Sequence, residues 1–405
     1  MIGPMNAIVW VAALGYFVDM YDITLFGVVR GTSLAALGVT GTNETLQAGI
    51  LLYNLQALGM VLGGVFWGIM ADKKGRLSVL FGSILLYSIS NLLNAFVTSV
   101  DQYAICRFVT GVGLAGELGA AITLVSETLP KEKRGLGTTI VATLGLFGAV
   151  CASFIGQILP WNINYMVGGV MGLLLLLTRF QVSESELFKR ALAKTASSAN
   201  GDFRLLLKST RRWRYLRCIF LGTPVYFMTG IMFTFSPELT AGLNIHGDPV
   251  KAGQALLFGT IGLTLGDLFS GLLSQYLQSR KNAVMVSLSL ASFGALSYLL
   301  TPGLTANAIY LLCFILGISG GYWAVLVTMS AEQFGTNIRG TVATSVPNFV
   351  RGTAILITLS FNSLKNNLGI QNSALLLGFI SIGGAFVALY LSEETFNKDL
   401  NYIEE

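Results

Sequence analysis

The sequence predicts an all-α membrane protein of twelve transmembrane helices in two pseudo-symmetric six-helix bundles, and three observations carry that expectation. Only 11% of the 405 residues are charged while 53% are hydrophobic, whereas a soluble domain carries about 25% Asp, Glu, Lys and Arg. Charge-free stretches recur at the length a bilayer demands, since a spanning helix needs about 20 mostly apolar residues. The second half of the chain also repeats landmarks of the first at an offset of 203 to 205 residues.

The spans follow in order. Residues 45–71, 77–100, 218–237 and 366–392 are free of charge and each fits one helix. Residues 135–178 are too long for one crossing and divide at Pro160-Trp161-Asn162; residues 282–331 divide likewise at Thr301-Pro302-Gly303. The stretches 7–33, 101–129, 250–276 and 338–364 are apolar but carry isolated charges. The expected helices are 7–33, 46–71, 77–98, 101–129, 134–159, 163–181, 215–241, 250–276, 281–301, 305–333, 338–364 and 371–392. An outer-membrane barrel would instead show short alternating segments. The resulting organisation is a first bundle over 1–181, a polar linker over 182–214 with room for one surface helix, a second bundle over 215–392 and a tail over 393–405.

The charges orient the bundle. With the N-terminus inside, 20 of the 25 basic residues fall in cytoplasmic segments, and only Lys251 and Lys365 fall in outer loops. This satisfies the positive-inside rule and places both termini in the cytoplasm. The net charge of +5 therefore reports topology and anionic lipid, not nucleic acid. Cys106, Cys151, Cys218 and Cys313 are dispersed among apolar residues, without the spacing of a metal site or disulfide framework. His246 is the single histidine, and no phosphate-binding GxxxxGK[ST] run occurs. No nucleophile–base set appears either, so neither an enzyme nor a cofactor is expected. Short loops and the lack of a cleavable signal fit a multi-pass protein of a bacterial inner membrane, working as a monomer.

The repeat is specific in places. Ser126-Glu127 through Arg134-Gly135 and Ala331-Glu332 through Arg339-Gly340 both read Glu, six residues, Arg-Gly. Gly63 and Gly68 recur as Gly266 and Gly271. Duplicated halves of this kind hold their substrate near the midplane between them.

The segment Gly68-Ile69-Met70-Ala71-Asp72-Lys73-Lys74-Gly75-Arg76 resembles the G-x-x-x-D-[RK]-x-G-R signature of the major facilitator superfamily, and with the twelve spans, central loop and repeat the resemblance covers the whole chain. Asp19-Met20-Tyr21-Asp22 and the run from Arg107 to Ala121 are similar to segments of the metabolite:proton symporter and organic anion transporter group. The resemblance implies a secondary transporter working by alternating access, and a pairing of Asp22 with Arg107. The second-half loop departs from the signature, with Gln275 where the acid would stand, which implies a weaker gate there.

Charges at bilayer depth cost at least ~2.5–3.5 kcal/mol on insertion scales, so each needs a partner or a function. Asp19 and Asp22 lie three residues apart on one helix face and, with Glu117, are candidate proton carriers; either acid could instead be a structural partner of Arg107 or Arg30. Arg351, about 18 Å into its helix at ~1.5 Å per residue, offers a forked receptor for a substrate carboxylate. It could equally bridge to Asp267. Tyr21, Tyr226, Tyr322, Trp323 and Asn348 are candidate cavity residues, although aromatics on apolar helices more often pack. Asp72, Arg76, Glu127, Arg134, Glu332 and Arg339 are expected to form salt bridges that close the cytoplasmic mouth. Glu238 and His246 read as solvated residues near the outer end of their helix. The function that follows is proton-coupled symport of a small organic anion. Uptake of an amino acid or other zwitterion, drug or lipid antiport, and a transporter-like receptor or channel stand as alternatives.

Overall fold

In the computed structural model, residues 4–40, 42–178, 206, 209–234, 236–241, 243, 245–398 and 402–403 are described. The first bundle comprises α1 (Pro4–Ala36), α2 (Thr42–Lys74), α3 (Arg76–Asn94), α4 (Val100–Leu114), α5 (Glu117–Thr128), α6 (Lys131–Ile158) and α7 (Trp161–Thr178). The second comprises α8 (Ser209–Phe227), a π-helical turn at Met228–Phe233, α9 (Ser236–Ala241), α10 (Ala252–Tyr276), α11 (Arg280–Leu300), α12 (Ala306–Gly320), α13 (Trp323–Glu332), α14 (Arg339–Leu368) and α15 (Ile370–Tyr390). Eleven helical segments are long and apolar enough to cross a bilayer, and Trp161–Leu177 is a shorter apolar helix. Among the described residues a helical segment stands at each of the twelve expected spans.

Three features depart from the expected spans. The linker ends earlier: Ser209 already starts α8, where Arg214 donates to the carbonyl of Gln333 at 3.1 Å and Arg217 donates to that of Leu391. Basic side chains at a helix end thus reach backbone carbonyls of the second bundle. The expected surface helix in 182–214 falls largely outside the described residues. The span 215–241 is not one α-helix but passes into the π turn, where the chain gains a residue per turn downstream of Pro224. The spans 101–129 and 305–333 are each interrupted, between α4 and α5 and between α12 and α13.

The interruptions obey the repeat. Gly116 and Gly321 stand at the two breaks, 205 residues apart. In both bundles a glycine lets the broken helix approach its neighbour closely: a Cβ on Gly63 would lie 2.5 Å from the Val112 carbonyl oxygen, and one on Gly266 would lie 2.2 Å from that of Ile318. Equivalent helices also start alike, Ser99 accepting from the N–H of Gln102 and Thr305 from that of Ala308, which satisfies orphan donors of the first turn. Large apolar side chains cover the outside, Phe96, Phe293 and Phe379 among them, as lipid contact requires. The halves meet along two seams, α2 against α14 and α6 against α10.

Candidate functional site

At the end of the seam that carries the signature loop, the two bundles are locked together. Arg76 lies 3.3 Å from Asp72 and 3.0 Å from Glu127, and Arg339 of the other bundle lies 3.4 Å from Glu127. Asp72 also accepts the backbone N–H of Gly340 at 3.0 Å and that of Thr341 at 2.7 Å, with the Thr341 hydroxyl at 2.7 Å. Helix α14 has no side-chain cap of its own at Ile338. A carboxylate from the first bundle therefore caps a helix of the second, where free N–H groups and the helix dipole favour negative charge. Arg76 and Arg339 are fully buried, and charges this dry hold only while their partners stay in place. The symmetry-related pair, Arg280–Glu332 at 3.3 Å, lies within the second bundle. Its Glu332 is held by the Thr395 hydroxyl at 2.8 Å instead of by the first bundle.

Further into the seam lies Arg351 of α14, only 4% exposed. Its Nη1 donates to Asn348 Oδ1 at 2.9 Å, and its guanidinium stands 5.9 Å over the Trp323 ring. Trp323 meets Tyr226 edge to face at 6.0 Å. Tyr226 shares a side-chain hydrogen bond with the guanidinium, and Tyr16 and, across the seam, Asp19 lie within electrostatic range of it. Tyr53, which keeps 42% of its surface exposed, neighbours both Tyr226 and Arg351. The Nε and Nη2 atoms of Arg351 have no hydrogen-bond partner among the described residues. These two donors form one edge of the fork, the edge a carboxylate meets side-on.

The break between α12 and α13 aims Trp323 at this place. Asp267 Oδ1 accepts the N–H of Ala324 at 2.8 Å and so caps the restarted helix. Ser270 donates to the carbonyl of Gly321 at 2.7 Å. A Cβ on Gly321 would come within 2.4 Å of the Asp267 backbone nitrogen, so the broken backbone passes where only glycine fits. At the other break Asn348 Nδ2 donates to the carbonyl of Ala115 at 2.8 Å.

The family of the chain can now be read from comparison. The sequence model of the Major Facilitator Superfamily matches residues 12–359. The chain belongs to the major facilitator superfamily. Among relatives, the benzoate transport protein of Acinetobacter baylyi is 26% identical over 80% of this chain and 75% of its own. The cis,cis-muconate transport protein of the same organism is 26% identical over 96% and 94%, and its niacin transporter NiaP 24% identical over 98% and 95%. The solved proton:xylose symporter XylE bound to 6-bromo-6-deoxy-D-glucose superposes with a TM-score of 0.74 at 17% identity, covering 98% of each chain, a likeness of fold. The protein is thus a multi-pass superfamily transporter and not an enzyme.

Set against this transporter fold, the expected site residues divide. Asp72, Arg76, Glu127 and Arg339 come together in one lock, whereas Glu332 belongs to the separate pair with Arg280; the Arg134 side chain lies outside the described residues, as does that of Glu238. Arg351, Trp323 and Tyr226 cluster, and Asp267 is engaged in helix capping instead of bridging Arg351. Tyr21 does not line a cavity: it is fully buried and donates to Asn164 Oδ1 at 3.3 Å within the first bundle. Tyr322 is likewise consumed, donating to the Leu221 carbonyl at 2.7 Å. Arg107 is not paired with Asp22. It donates through Nη2 to Gln56 and stands 4.6 Å over the Phe26 ring, while its Nε and Nη1 have no hydrogen-bond partner among the described residues and it stays within electrostatic range of Asp22. Asp22 is buried beside α7, where a Cβ on Gly168 would nearly touch its Oδ1, and Arg107 and Asn91 lie in its vicinity. Asp19 and Asp22 therefore face different surroundings, one in range of Arg351 and the other in range of Arg107. Glu117, fully buried, opens α5, where the helix dipole favours a carboxylate. His246 is exposed as expected, and all four cysteines are free. Gln56, Tyr16 and Tyr53 were not among the expected residues, and Asp267 was expected only as a bridge to Arg351; the Gly320-Gly321 pair was the available signal of the break that Asp267 caps.

Proposed function

We propose that the protein is a proton-coupled symporter of a small organic carboxylate, held here with its cytoplasmic gate closed. The observation that carries this reading is the Nε–Nη2 edge of Arg351, buried at the seam beside Tyr226 and without a hydrogen-bond partner of its own among the described residues. A bidentate contact to a planar carboxylate fits that edge, and the facing aromatic surfaces of Trp323 and Tyr226 suit an apolar body. The relatives named for benzoate, cis,cis-muconate and niacin carry acids of that type. The excess of Lys and Arg in the segments at the locked end supports a cytoplasmic position for that end and for both termini, in an inner bacterial membrane. Asp22, and Asp19 across from Arg351, carry the proton, and Arg107 senses it.

A second reading has one observation in its favour. Asp19 stands in range of Arg351 from the opposite bundle, so a zwitterion could place its carboxylate on one and its ammonium on the other. The test is a thermal-shift screen of the purified transporter with benzoate, niacin, cis,cis-muconate, amino acids and sugars. A ligand at 100 times its Kd adds about 2.7 kcal/mol. Stabilisation by carboxylates that is lost in Arg351→Lys supports the reading; stabilisation by sugars alone, or by carboxylates equally in the variant, sinks it.

A further inference from the structure

Asn348 was expected among the cavity residues, yet its side chain has little left to offer a substrate. Both amide hydrogens are engaged, one on the Ala115 carbonyl at 2.8 Å and one on the Thr344 carbonyl at 2.7 Å, while Oδ1 accepts Arg351 Nη1 at 2.9 Å. It is 1% exposed. A Cβ on Gly64 of the first bundle would sit 2.8 Å from the Asn348 Cβ, so α2 presses directly on it. Ala115 belongs to the break between α4 and α5, on the first bundle. One amide thus joins the guanidinium of Arg351 to the interrupted helix on the far side of the seam.

We infer that Asn348 is a positioning residue that couples the charge state of Arg351 to the closure of the seam. The physical link is polarisation. A cation bound to an amide oxygen draws electron density from the amide and makes its N–H groups stronger donors, and chains of hydrogen bonds reinforce one another in this way in low dielectric. With Arg351 uncompensated, the Asn348 N–H to Ala115 is at its strongest and the seam is held shut. An anion on the Nε–Nη2 edge neutralises the guanidinium, weakens that polarisation and loosens the contact to α4–α5. Substrate binding would then favour opening at the locked end. This last step rests on the carboxylate reading of Arg351; the Arg351–Asn348–Ala115 relay itself does not.

The relay is tested without any ligand. In a background with Cys106, Cys151, Cys218 and Cys313 replaced by alanine, Ala71→Cys places a thiol beside Gly340 at the buried gate, and its maleimide labelling rate reports opening. Asn348→Ala, and the isosteric Asn348→Asp whose carboxylate faces the Ala115 carbonyl, should each raise the rate about 2- to 10-fold, the span of one net hydrogen bond. Arg351→Gln should raise it too, and adding Arg351→Gln to Asn348→Ala should raise it no further, because coupled residues fail additivity. If Asn348→Ala is not monodisperse, Asn348→Ser takes its place in the cycle. A labelling rate unchanged in Asn348→Asp, or effects of the two single changes that multiply in the double, overturns the inference and leaves Asn348 a plain clamp. Benzoate, niacin and cis,cis-muconate are then added to the parent and to Asn348→Ala. An anion that speeds labelling in the parent and not in the variant supports anion control; equal acceleration in both overturns it. If none of them binds, the carboxylate reading fails while the ligand-free cycle still decides the relay.

Discussion

Asp72 caps the helix that begins beside Thr341, accepting its backbone N–H at 2.7 Å and its hydroxyl at 2.7 Å from the opposite bundle. The capping bond that an ordinary helix finds one residue upstream is here supplied across the seam. Separation of the bundles must strip α14 of its cap and part Arg339 from the Glu127 carboxylate, so closure and helix stability are the same interaction.

Replacement of that carboxylate should open the gate. Asp72→Asn retains the shape but loses the charge and presents an amide N–H to a backbone donor. Bonds to charged groups are worth about 1.5–3 kcal/mol, so the population open at the locked end should rise at least about tenfold. Maleimide labelling of Ala71→Cys in the Asp72→Asn variant checks this; a labelling rate equal to the parent would show that Asp72 is not part of a gate.

The tail adds a second hold on the same end. Glu394 accepts from the hydroxyl of Ser279 and the backbone N–H groups of Arg280 at 2.9 Å and Lys281 at 3.2 Å, and the N–H of Thr336 in the gate loop donates to the Tyr402 carbonyl at 2.8 Å. Burial alone would raise the Glu394 pKa, but these hydrogen bonds outweigh it and hold the carboxyl below the ordinary value of 4.5. A depressed folded-state pKa gives a contribution fully present above the ordinary value and lost as pH falls through the lowered one. Tail docking should therefore weaken only below about pH 4.5, and Glu394→Gln should already be loosened at neutral pH. Limited proteolysis of the tail across about pH 3–7 measures it; a tail cut no faster in Glu394→Gln than in the parent at neutral pH would remove Glu394 from this role.

How much of this was legible in the sequence differs by level. Twelve crossings could be placed because charge-free runs such as 77–100 are set by the bilayer. The Asp72–Arg76 pair was legible because the segment from Gly68 to Arg76 resembles the superfamily signature. The directions of Tyr21 and Tyr322 were not, since helices apolar on all sides face lipid and protein alike and leave no polar stripe to orient them. The break at Gly321 hid for a related reason: interrupting a helix inside an apolar run leaves its hydropathy unchanged. The resemblance paired Arg107 with Asp22, whereas Arg107 donates to Gln56 and lies over Phe26, contacts set by tertiary packing alone.

Asp22 is the acid whose neutralisation should separate coupling from binding. Asp22→Asn imitates the protonated state permanently at a site buried beside Gly168 and in the vicinity of Arg107. Uphill uptake driven by a pH gradient into proteoliposomes should be lost, while exchange of labelled for unlabelled substrate should persist. Full gradient-driven accumulation by this variant would end the assignment of Asp22 as a coupling acid.

Arg351 is the most demanding test, because its charge and its geometry can be separated. Lysine keeps the charge but lacks the planar fork, so it cannot meet both oxygens of a carboxylate and also reach Asn348. Arg351→Lys should weaken carboxylate binding by roughly 1.5–3 kcal/mol, the worth of a charged hydrogen bond, which is about 10- to 100-fold in Kd. Arg351→Ala should lose more, since it also removes the cation that Asp19 faces across the seam. Isothermal calorimetry with the carboxylate that the thermal screen selects measures both, with monodispersity on size exclusion as the control for folding. A well-folded Arg351→Lys that binds as tightly as the parent would refute anion recognition by the fork, because a point charge would then suffice where the Nε–Nη2 edge, without a hydrogen-bond partner among the described residues, implies that two parallel donors are needed.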